Sequence, residues 1–168
     1  VEEIVATKEP SAKHIIPGIT DNEKVRPVLL RDITSEEESR IDLKDEELNR
    51  VLGGGLVKGS LVLIGGEPGI GKSTLVLQTV LGLNGLKTLY VSGEESSRQL
   101  KLRADRLAHE NPDCFILCET NLEQIFVQAR NVQPDLMIID SIQTIYTEIV
   151  ESSPGSVSQV RECSAAIL

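Results

Sequence analysis

Short apolar runs alternate with amphipathic segments along the chain from residue 60 onward. Four apolar runs predict β-strands: SLVLIGG (60–66), KTLYVS (87–92), CFILC (114–118) and LMIID (136–140). The segments between them predict three helices, over Lys72–Leu83, Ser96–Ala108 and Asn121–Asn131. Strands that alternate with helices indicate βαβ units. The predicted fold class is therefore α/β, with a mostly parallel sheet flanked by helices on both faces.

The N-terminal region, residues 1–40, has few features of a folded domain. It contains the acidic run SEEES at 35–39 and three prolines that would interrupt a helix, Pro10, Pro17 and Pro27. We therefore predict a linker there, with one short strand around Pro27–Asp32.

The core domain is predicted to occupy residues 41–168. It opens with a short helix over Asp42–Leu52, in which Asp42 is a possible N-terminal cap. Three consecutive glycines, 53–55, are expected to end this helix, because glycine adopts a left-handed turn at little cost.

Composition and charge restrict the core and the partners. The 168 residues include two Tyr, two Phe and no Trp, so the core must consist mainly of Val, Ile and Leu, as in parallel strands buried on both faces. The net charge of −9 argues against binding of nucleic acid by charge alone. From Glu110 to Leu168 the only cationic side chains are Arg130 and Arg161.

The three cysteines do not form a disulfide framework. Cys114 and Cys118 lie at opposite ends of a predicted strand, roughly 13 Å apart, too far for one disulfide or one metal ion. We expect Cys114, Cys118 and Cys163 to be buried, reduced thiols, which favours a cytoplasmic location. No apolar run reaches the length of about 18 residues needed to cross a bilayer, and no signal peptide is evident, so neither membrane insertion nor secretion is expected.

A phosphate-binding loop occurs where the first predicted strand of the sheet meets the first long helix. The segment Gly66-Glu67-Pro68-Gly69-Ile70-Gly71-Lys72-Ser73 fits the Walker A pattern G-x-x-x-x-G-K-[ST] at every defined position. Its glycines let consecutive backbone N–H groups face a phosphate, and the helix directs the positive end of its dipole at the same anion. Lys72 would reach the β- and γ-phosphates, Ser73 would bind Mg²⁺, and Thr74 completes the predicted nucleotide-binding set, so the motif predicts ATP and Mg²⁺ as ligands.

Acidic residues follow two other strands at the same predicted sheet edge. Asp140, after LMIID, fits a Walker B position that would hold Mg²⁺ through water, although capping of a following helix is the ordinary alternative. Glu94 and Glu95 are candidates to orient or deprotonate the attacking water; their alternative role is electrostatic stabilisation of a helix N-terminus. Together with Lys72, these three residues form the predicted catalytic set. Ser141 and Gln143 are polar enough to sense the γ-phosphate, and the sequence leaves that role open.

The same segments resemble a known family. The runs VLGGGLVKGSLVLIGGEPGIGKSTL, LYVSGEESSRQLKLRADRL, ETNLE and IIDSIQTIY are similar to the RadA (Sms) family of bacterial DNA-repair ATPases, over residues 25–168. The resemblance implies a RecA-like P-loop ATPase core that forms hexameric rings, binds single-stranded DNA, works with RecA and drives branch migration during recombination. It also implies that Glu94 is the water-activating residue, with Glu95 second, and that 147–160 is a mobile, DNA-facing loop; an ordinary surface loop is the alternative.

Parts of the family pattern lie outside this sequence. The resemblance implies a four-cysteine zinc finger before the chain, and a KNRFG motif and a Lon-protease-like domain after it. It also implies a further strand that lies between the Walker A and Walker B strands and would follow Leu168. We therefore expect a fragment, truncated at its C-terminal end, whose own hydrolysis is in doubt.

Two functions compete with that of a DNA-dependent motor. One is a phosphotransferase or switch similar to KaiC, which also has a glutamate pair at this place and would phosphorylate a Ser or Thr from the same ATP site. The other is an ATP-binding oligomerisation module without hydrolysis. Phosphate release with and without DNA distinguishes these possibilities.

Overall fold

The computed structural model describes residues 28–32, 39–107 and 109–168, and the chain divides into two units, Val1–Glu37 and Glu38–Leu168. In the first unit, the described residues contain one turn of 3₁₀ helix, Leu30–Asp32. The predicted strand around Pro27–Asp32 is therefore wrong over its described part. Val28, Leu29 and Leu30 are exposed, and none of the described residues of this unit, 28–32, is in a strand. Pro27 and most of the predicted linker lie outside the described residues.

The second unit contains the α/β core. Its described strands are β1 (Arg40–Ile41), β2 (Leu56–Val57), β3 (Thr88–Ser92), β4 (Cys114–Cys118) and β5 (Leu136–Asp140). Its described helices are α1 (Glu46–Val51), α2 (Lys72–Gly82), α3 (Ser97–Ala104), α4 (Leu122–Val132) and α5 (Val157–Ile167).

The central sheet has three parallel strands in the order β4-β3-β5. The middle strand pairs Thr88 with both Cys114 and Leu136, and continues in register to Ser92 opposite Asp140. All five residues of β3 are buried, as expected of a strand with a neighbour on each side and helices on each face. The predicted α/β class with a parallel sheet is confirmed.

Each face of the sheet has its own core. On one face, Tyr90 of β3 packs with Leu77 and Val80 of α2 and with Leu100 of α3. On the other face, the neighbouring residue Val91 packs with Ile125 of α4 and Cys163 of α5. Because successive side chains of a strand point to opposite faces, this alternation places helices on both sides of β3.

The apolar run before the phosphate loop is not a strand in the structure, contrary to the prediction for 60–66. Leu61, Val62, Leu63 and Ile64 have no ladder partner, and their exposed fractions are 52%, 43%, 82% and 42%. A strand needs a hydrogen-bonded neighbour, and β5 pairs only with β3 among the described residues. The resemblance implies a further strand between β5 and this run, and no described strand occupies that place.

The first helix of the core is shorter than predicted. α1 is capped by Asp45, whose side chain accepts a hydrogen bond from Leu48 N, so Asp42 is not the cap. Asp42 instead accepts hydrogen bonds from the backbone N–H and the ammonium of Lys44 and from the amide of Asn49. The glycines 53–55 have φ of 69°, 109° and 130° after the helix, as predicted. At Gly55, a Cβ would lie 2.5 Å from the carbonyl oxygen of Ile41 in the β1–β2 pair.

Helices α2, α3 and α4 begin within two residues of their predicted starts, and the described residues contain one further helix, α5. α3 and α4 are capped by Ser96 and Asn121, each of which accepts a hydrogen bond from the backbone N–H three residues later. α5 was not predicted, and it begins inside the stretch 147–160 that we expected to be a loop. Ser156 caps it by accepting from Gln159 N at 3.4 Å.

The cysteines are all free, as expected, but they are not all buried. Cys163 is buried, Cys114 is partly buried, and Cys118 is exposed at the end of the edge strand β4. The prediction of a buried thiol is therefore wrong for Cys118. Among the described residues, no helix combines the length and the apolar character needed to cross a membrane.

Candidate functional site

The phosphate loop ends at an N-terminus of α2 that has no side-chain cap. The cap position is Gly71, with φ 103° and ψ 11°, and Gly69 has φ 78°. A residue with a Cβ would be strained at both positions, although open space surrounds them. The requirement for glycine is therefore conformational. It leaves the N–H groups of the first turn without a capping side chain, as an anion-binding helix terminus needs.

Gly66 does not have the conformational role that we predicted for it. Its φ is not in the left-handed region, so it supplies no unusual backbone conformation. A Cβ at this position would lie 3.4 Å from Ile70 Cγ2 and 3.7 Å from Lys72 Cδ. Both separations are ordinary van der Waals contacts, so a Cβ at this position would fit beside the lysine stem.

Lys72 folds back over the loop. Its ammonium donates hydrogen bonds to the carbonyl oxygens of Gly66 and Glu67, both at 2.8 Å. The positive charge therefore lies against the loop backbone that would surround a phosphate. The remaining predicted loop residues lie at the surface, with Ser73 partly buried and Glu67, Pro68, Ile70 and Thr74 exposed.

Asp140 lies at the C-terminal end of β5, on the face of the sheet that α2 covers. It shares that face with Ile138 and with Tyr90 of the neighbouring strand. The Tyr90 hydroxyl donates a hydrogen bond to Asp140 Oδ2 at 2.6 Å. Burial, and then this hydrogen bond, raise the pKa of the Tyr90 hydroxyl well above its usual value of 10.0, so it remains protonated and able to donate. The residues after β5 form turns, so Asp140 does not cap a following helix.

Glu94 lies beside Asp140 across the ends of two strands. Gly93 N donates to the backbone carbonyl of Asp140 at 3.0 Å, which extends the β3–β5 pairing by one residue. Glu94 is exposed, and its Oε1 accepts a hydrogen bond from the Ser141 hydroxyl at 3.0 Å. Glu94 and Asp140 therefore lie at the same sheet edge, as the strand order predicts.

Glu95, unlike Glu94, forms an ion pair. Arg103 Nη2 donates to Glu95 Oε1 at 2.5 Å, and the two side chains are 31% and 24% exposed. The backbone N–H of Glu95 donates to the Ser92 hydroxyl at 3.0 Å. The adjacent glutamates thus have different environments: Glu94 is exposed and accepts from a serine hydroxyl, whereas Glu95 is paired with an arginine.

The turn after Asp140 packs directly against Gly93. A Cβ on Gly93 would lie 1.9 Å from Thr144 Oγ1, 2.6 Å from Thr144 Cβ and 3.2 Å from Thr120 Cγ2. The Thr144 hydroxyl in turn donates to the carbonyl of Ser141 at 2.7 Å. Only glycine leaves room for this turn, so Gly93 fixes the separation between Glu94 and the residues after Asp140.

Beyond that turn, a buried amide anchors the loop between β5 and α5. The Gln159 side chain is 1% exposed. Its Nε2 donates to the carbonyls of Thr147, Val150 and Ser152 at 3.1, 2.9 and 3.0 Å, and its Oε1 accepts from Thr147 N at 2.9 Å. Residues 147–156 are thus tied to the first turn of α5.

The predicted site residues fall into two groups. Asp140, Glu94 and Ser141 form one connected group, whereas Lys72 and Ser73 lie in the phosphate loop. Within the described part of the chain, no hydrogen bond joins the loop to the acidic group, because the run 61–64 that would carry the loop is not part of the sheet.

Three side chains around the site were not predicted: Tyr90, Arg103 and Gln159. Tyr90 is the one large polar side chain in the run TLYVS, and its position two residues before the strand end was the available signal. Arg103 lies eight residues after Glu95 on the following helix, and Ser156 with Gln159 has the S-x-x-Q spacing of a capping box.

A divalent cation fits the oxygen donors present. Asp140 supplies a carboxylate, of which only Oδ2 accepts a side-chain hydrogen bond among the described residues, and Ser73 supplies a hydroxyl at the uncapped helix end. Mg²⁺ prefers oxygen ligands and is usually held by one or two protein groups together with phosphates and water. The described residues contain no group of three or more His, Cys, Asp or Glu side chains able to hold a metal by themselves. By donor chemistry alone, Asp140 and Ser73 are the kinds of group that bind magnesium together with phosphates and water.

A parallel α/β sheet, a glycine loop that opens a helix, and an aspartate at the end of a strand of that sheet are features of P-loop nucleotide-binding proteins. The sequence profile of the family described as AAA domain matches residues 25–166, and the chain belongs to that family.

Curated bacterial relatives are similar to the whole chain or most of it. The chain is 48% identical to DNA repair protein RadA of Halalkalibacterium halodurans over its entire length and 37% of that relative. It is 52% identical to DNA repair protein RadA of Bacillus subtilis over 85% of the chain and 32% of the relative. It is 47% identical to DNA repair protein RadA of Streptococcus pneumoniae over its entire length and 39% of the relative. The resemblance found in the sequence is confirmed, and the chain spans roughly a third of these relatives' length.

Proposed function

We propose that this chain binds ATP with Mg²⁺ and forms the ATP-hydrolysing core of a DNA-repair motor. The observation that carries the proposal is the uncapped N-terminus of α2, where Gly71 takes a left-handed conformation and Lys72 follows. An anion is the ligand that such a terminus stabilises, through its free N–H groups and its dipole. The names of the relatives support DNA repair as the process.

The side chains would divide the reaction among them. Lys72 would exchange its two carbonyl contacts for the β- and γ-phosphate oxygens, which are stronger acceptors. Ser73 and Asp140 would hold Mg²⁺, which when bound supplies charge neutralisation at the phosphates. Glu94 would orient the attacking water and accept its proton, so that ATP and water give ADP and phosphate.

The DNA-related part of the proposal depends on more than this chain. Its charge is −9, and residues 110–168 contain only two cations, Arg130 and Arg161. Neutralising several phosphates of single-stranded DNA requires clustered Lys and Arg. We therefore propose that DNA-stimulated turnover, branch migration, a RecA partner, hexameric rings and a cytoplasmic location are properties of a protein as long as the relatives.

Calorimetric titration of this chain with ATP·Mg²⁺ tests the nucleotide site. Lys72→Ala removes the charge at the loop and should weaken binding about 10- to 100-fold. Lys58→Ala is the matched control, because Lys58 is an exposed lysine outside the phosphate loop and should bind as the wild type does. Equal affinity of all three chains would contradict the proposed site.

Phosphate release tests the motor itself. In a chain extended to the relatives' length, single-stranded DNA should raise the rate of ATP hydrolysis. The rate should fall when Lys72 is replaced by alanine. An identical rate with and without DNA would reject the DNA-dependent motor, and a phosphorylated Ser or Thr found by mass spectrometry would favour the phosphotransferase.

A further inference from the structure

We propose that Tyr90 is a positioning residue that holds the Asp140 carboxylate in the orientation in which it binds magnesium; this inference rests on the proposed function. The hydroxyl donates to Asp140 Oδ2 at 2.6 Å, and Tyr90 is 0% exposed. Tyr90 would not touch the nucleotide or the metal. It would act through the aspartate alone.

The register of the sheet explains why a tyrosine reaches this carboxylate. Tyr90 pairs with Ile138, and Asp140 lies two residues further along the neighbouring strand on the same face. Diagonal neighbours on adjacent strands are about 7–8 Å apart, a distance that a tyrosine side chain spans and a shorter hydroxyl side chain does not. The strand position and the side-chain length together direct the hydroxyl at Oδ2.

The tyrosine ring is itself held in place by the core. It packs against Leu77 and Val80 of α2 and Leu100 of α3. α2 is also the helix that begins with Lys72 and Ser73. One side chain therefore links the packing of the phosphate-loop helix to the orientation of the acidic residue on β5.

Strand β3 and the residue that follows it hold Asp140 at two points. Gly93 N donates to its backbone carbonyl at 3.0 Å, and Tyr90 holds its Oδ2. Among the described residues, these contacts leave Oδ1 without a side-chain donor, so one carboxylate oxygen is available to a metal-bound water. A ligand whose orientation is fixed before binding loses less freedom when it binds.

The test measures ATP affinity by calorimetry at increasing Mg²⁺ concentrations. The quantity compared between variants is the Mg²⁺ concentration at which half of the gain in ATP affinity is reached. Tyr90→Phe keeps the ring and its packing, and should raise this concentration about three- to tenfold while leaving ATP affinity in EDTA unchanged. Tyr146→Phe removes the other tyrosine hydroxyl of the chain and should behave as the wild type does. Asp140→Asn should abolish the magnesium effect, and adding Tyr90→Phe to it should change nothing further.

A structural role of Tyr90 would give a different result. If Tyr90 only stabilised the fold, Tyr90→Phe would lower ATP affinity with and without magnesium. That effect would persist in the Asp140→Asn background. A wild-type magnesium dependence that Tyr90→Phe leaves unaltered would overturn the inference alone. A wild type that binds no ATP, or binds it equally without magnesium, would overturn the proposed function and the inference with it.

A second measurement needs neither nucleotide nor metal. In a double-mutant cycle on the free energy of unfolding, Tyr90→Phe and Asp140→Ala should be non-additive, because each removes one partner of the same hydrogen bond. Additive effects would show that the two side chains do not interact and would reject the inference.

Discussion

Arg103 and Glu95 form a partly buried ion pair, with Nη2 2.5 Å from Oε1, immediately beside a glutamate that makes no such contact. Glu94 is exposed and accepts only the Ser141 hydroxyl among the described groups. A general base must accept a proton from water. A carboxylate that already accepts hydrogen bonds from a guanidinium is less available for that role. The ion pair therefore supports the proposal that Glu94, and not Glu95, would activate water.

The first prediction separates the two glutamates by hydrolysis and stability. Glu94→Gln should lower the rate of ATP hydrolysis by about 10²-fold or more, with ATP affinity nearly unchanged, because it removes the base and keeps the shape. Glu95→Gln should instead lower the free energy of unfolding by about 1–3 kcal/mol, since Arg103 loses its charged acceptor. Rates are measured as phosphate release in a chain extended to the relatives' length, and stability by urea unfolding. If Glu95→Gln lowered the hydrolysis rate and Glu94→Gln lowered the free energy of unfolding, Glu95 would be the base instead.

The second prediction concerns the space beside Gly93. Gly93→Ala should destabilise the fold by about 1–3 kcal/mol, because the new methyl group would lie 1.9 Å from Thr144 Oγ1 and the packed turn must move. Adding Thr144→Ala should recover only part of the loss, because Thr144 Cβ remains 2.6 Å away. Gly82→Ala is the matched control in urea unfolding, since its Cβ would meet open space at the end of α2. If Gly93→Ala left the free energy of unfolding unchanged, the turn could move away from the methyl group with no loss of stability.

The sequence predicts most of the core because its periodicity and its packing agree. TLYVS, CFILC and LMIID are apolar runs with helices between them, and each became a strand in one parallel sheet. SLVLIGG has the same pattern, but the strand predicted for it is absent from the structure. Apolar character predicts burial, whereas a strand also needs a hydrogen-bonded neighbour. No described strand lies beside it.

The acidic part of the site was predictable for a similar reason. Parallel strands end at one sheet edge, so Glu94 and Asp140 were expected to meet, and Ser141 connects them. The contacts of Tyr90, Arg103 and Gln159 depend on register and on helix rotation, which a sequence pattern does not specify. The helix α5 was missed because its first turn lies in a Ser- and Gly-rich stretch that has the composition of a loop.

The third prediction is a pH effect at Glu123. A hydrogen bond from the Thr147 hydroxyl to Glu123 Oε1, at 2.5 Å, lowers the pKa of Glu123 below its ordinary value of 4.5. A carboxyl group whose pKa is lower in the folded state stabilises the fold above its unfolded pKa. That contribution is lost as the pH falls from about 4.5 through the folded value.

Thr147→Val removes this donor and should raise the pKa of Glu123, whereas Thr147→Ser keeps the hydroxyl and should leave it low. Carboxyl-detected NMR titration of the three chains measures the pKa directly. A Glu123 that titrates at the same pH in the valine variant as in the wild type would show that the hydroxyl is not the cause.

The last prediction concerns the amide that anchors the loop before α5. Gln159→Leu keeps much of the volume but removes one acceptor and the donor to three backbone carbonyls, in a site that is 1% exposed. Buried polar groups left without partners are costly, so the free energy of unfolding should fall by about 2–4 kcal/mol. Amide hydrogen exchange should accelerate across 147–156 more than in β3 or β5, because those residues lose their link to α5. Gln124→Leu, at an exposed position of α4, is the matched control and should change neither measurement. If hydrogen exchange in 147–156 is unchanged in the Gln159→Leu variant, contacts other than the Gln159 amide hold this loop.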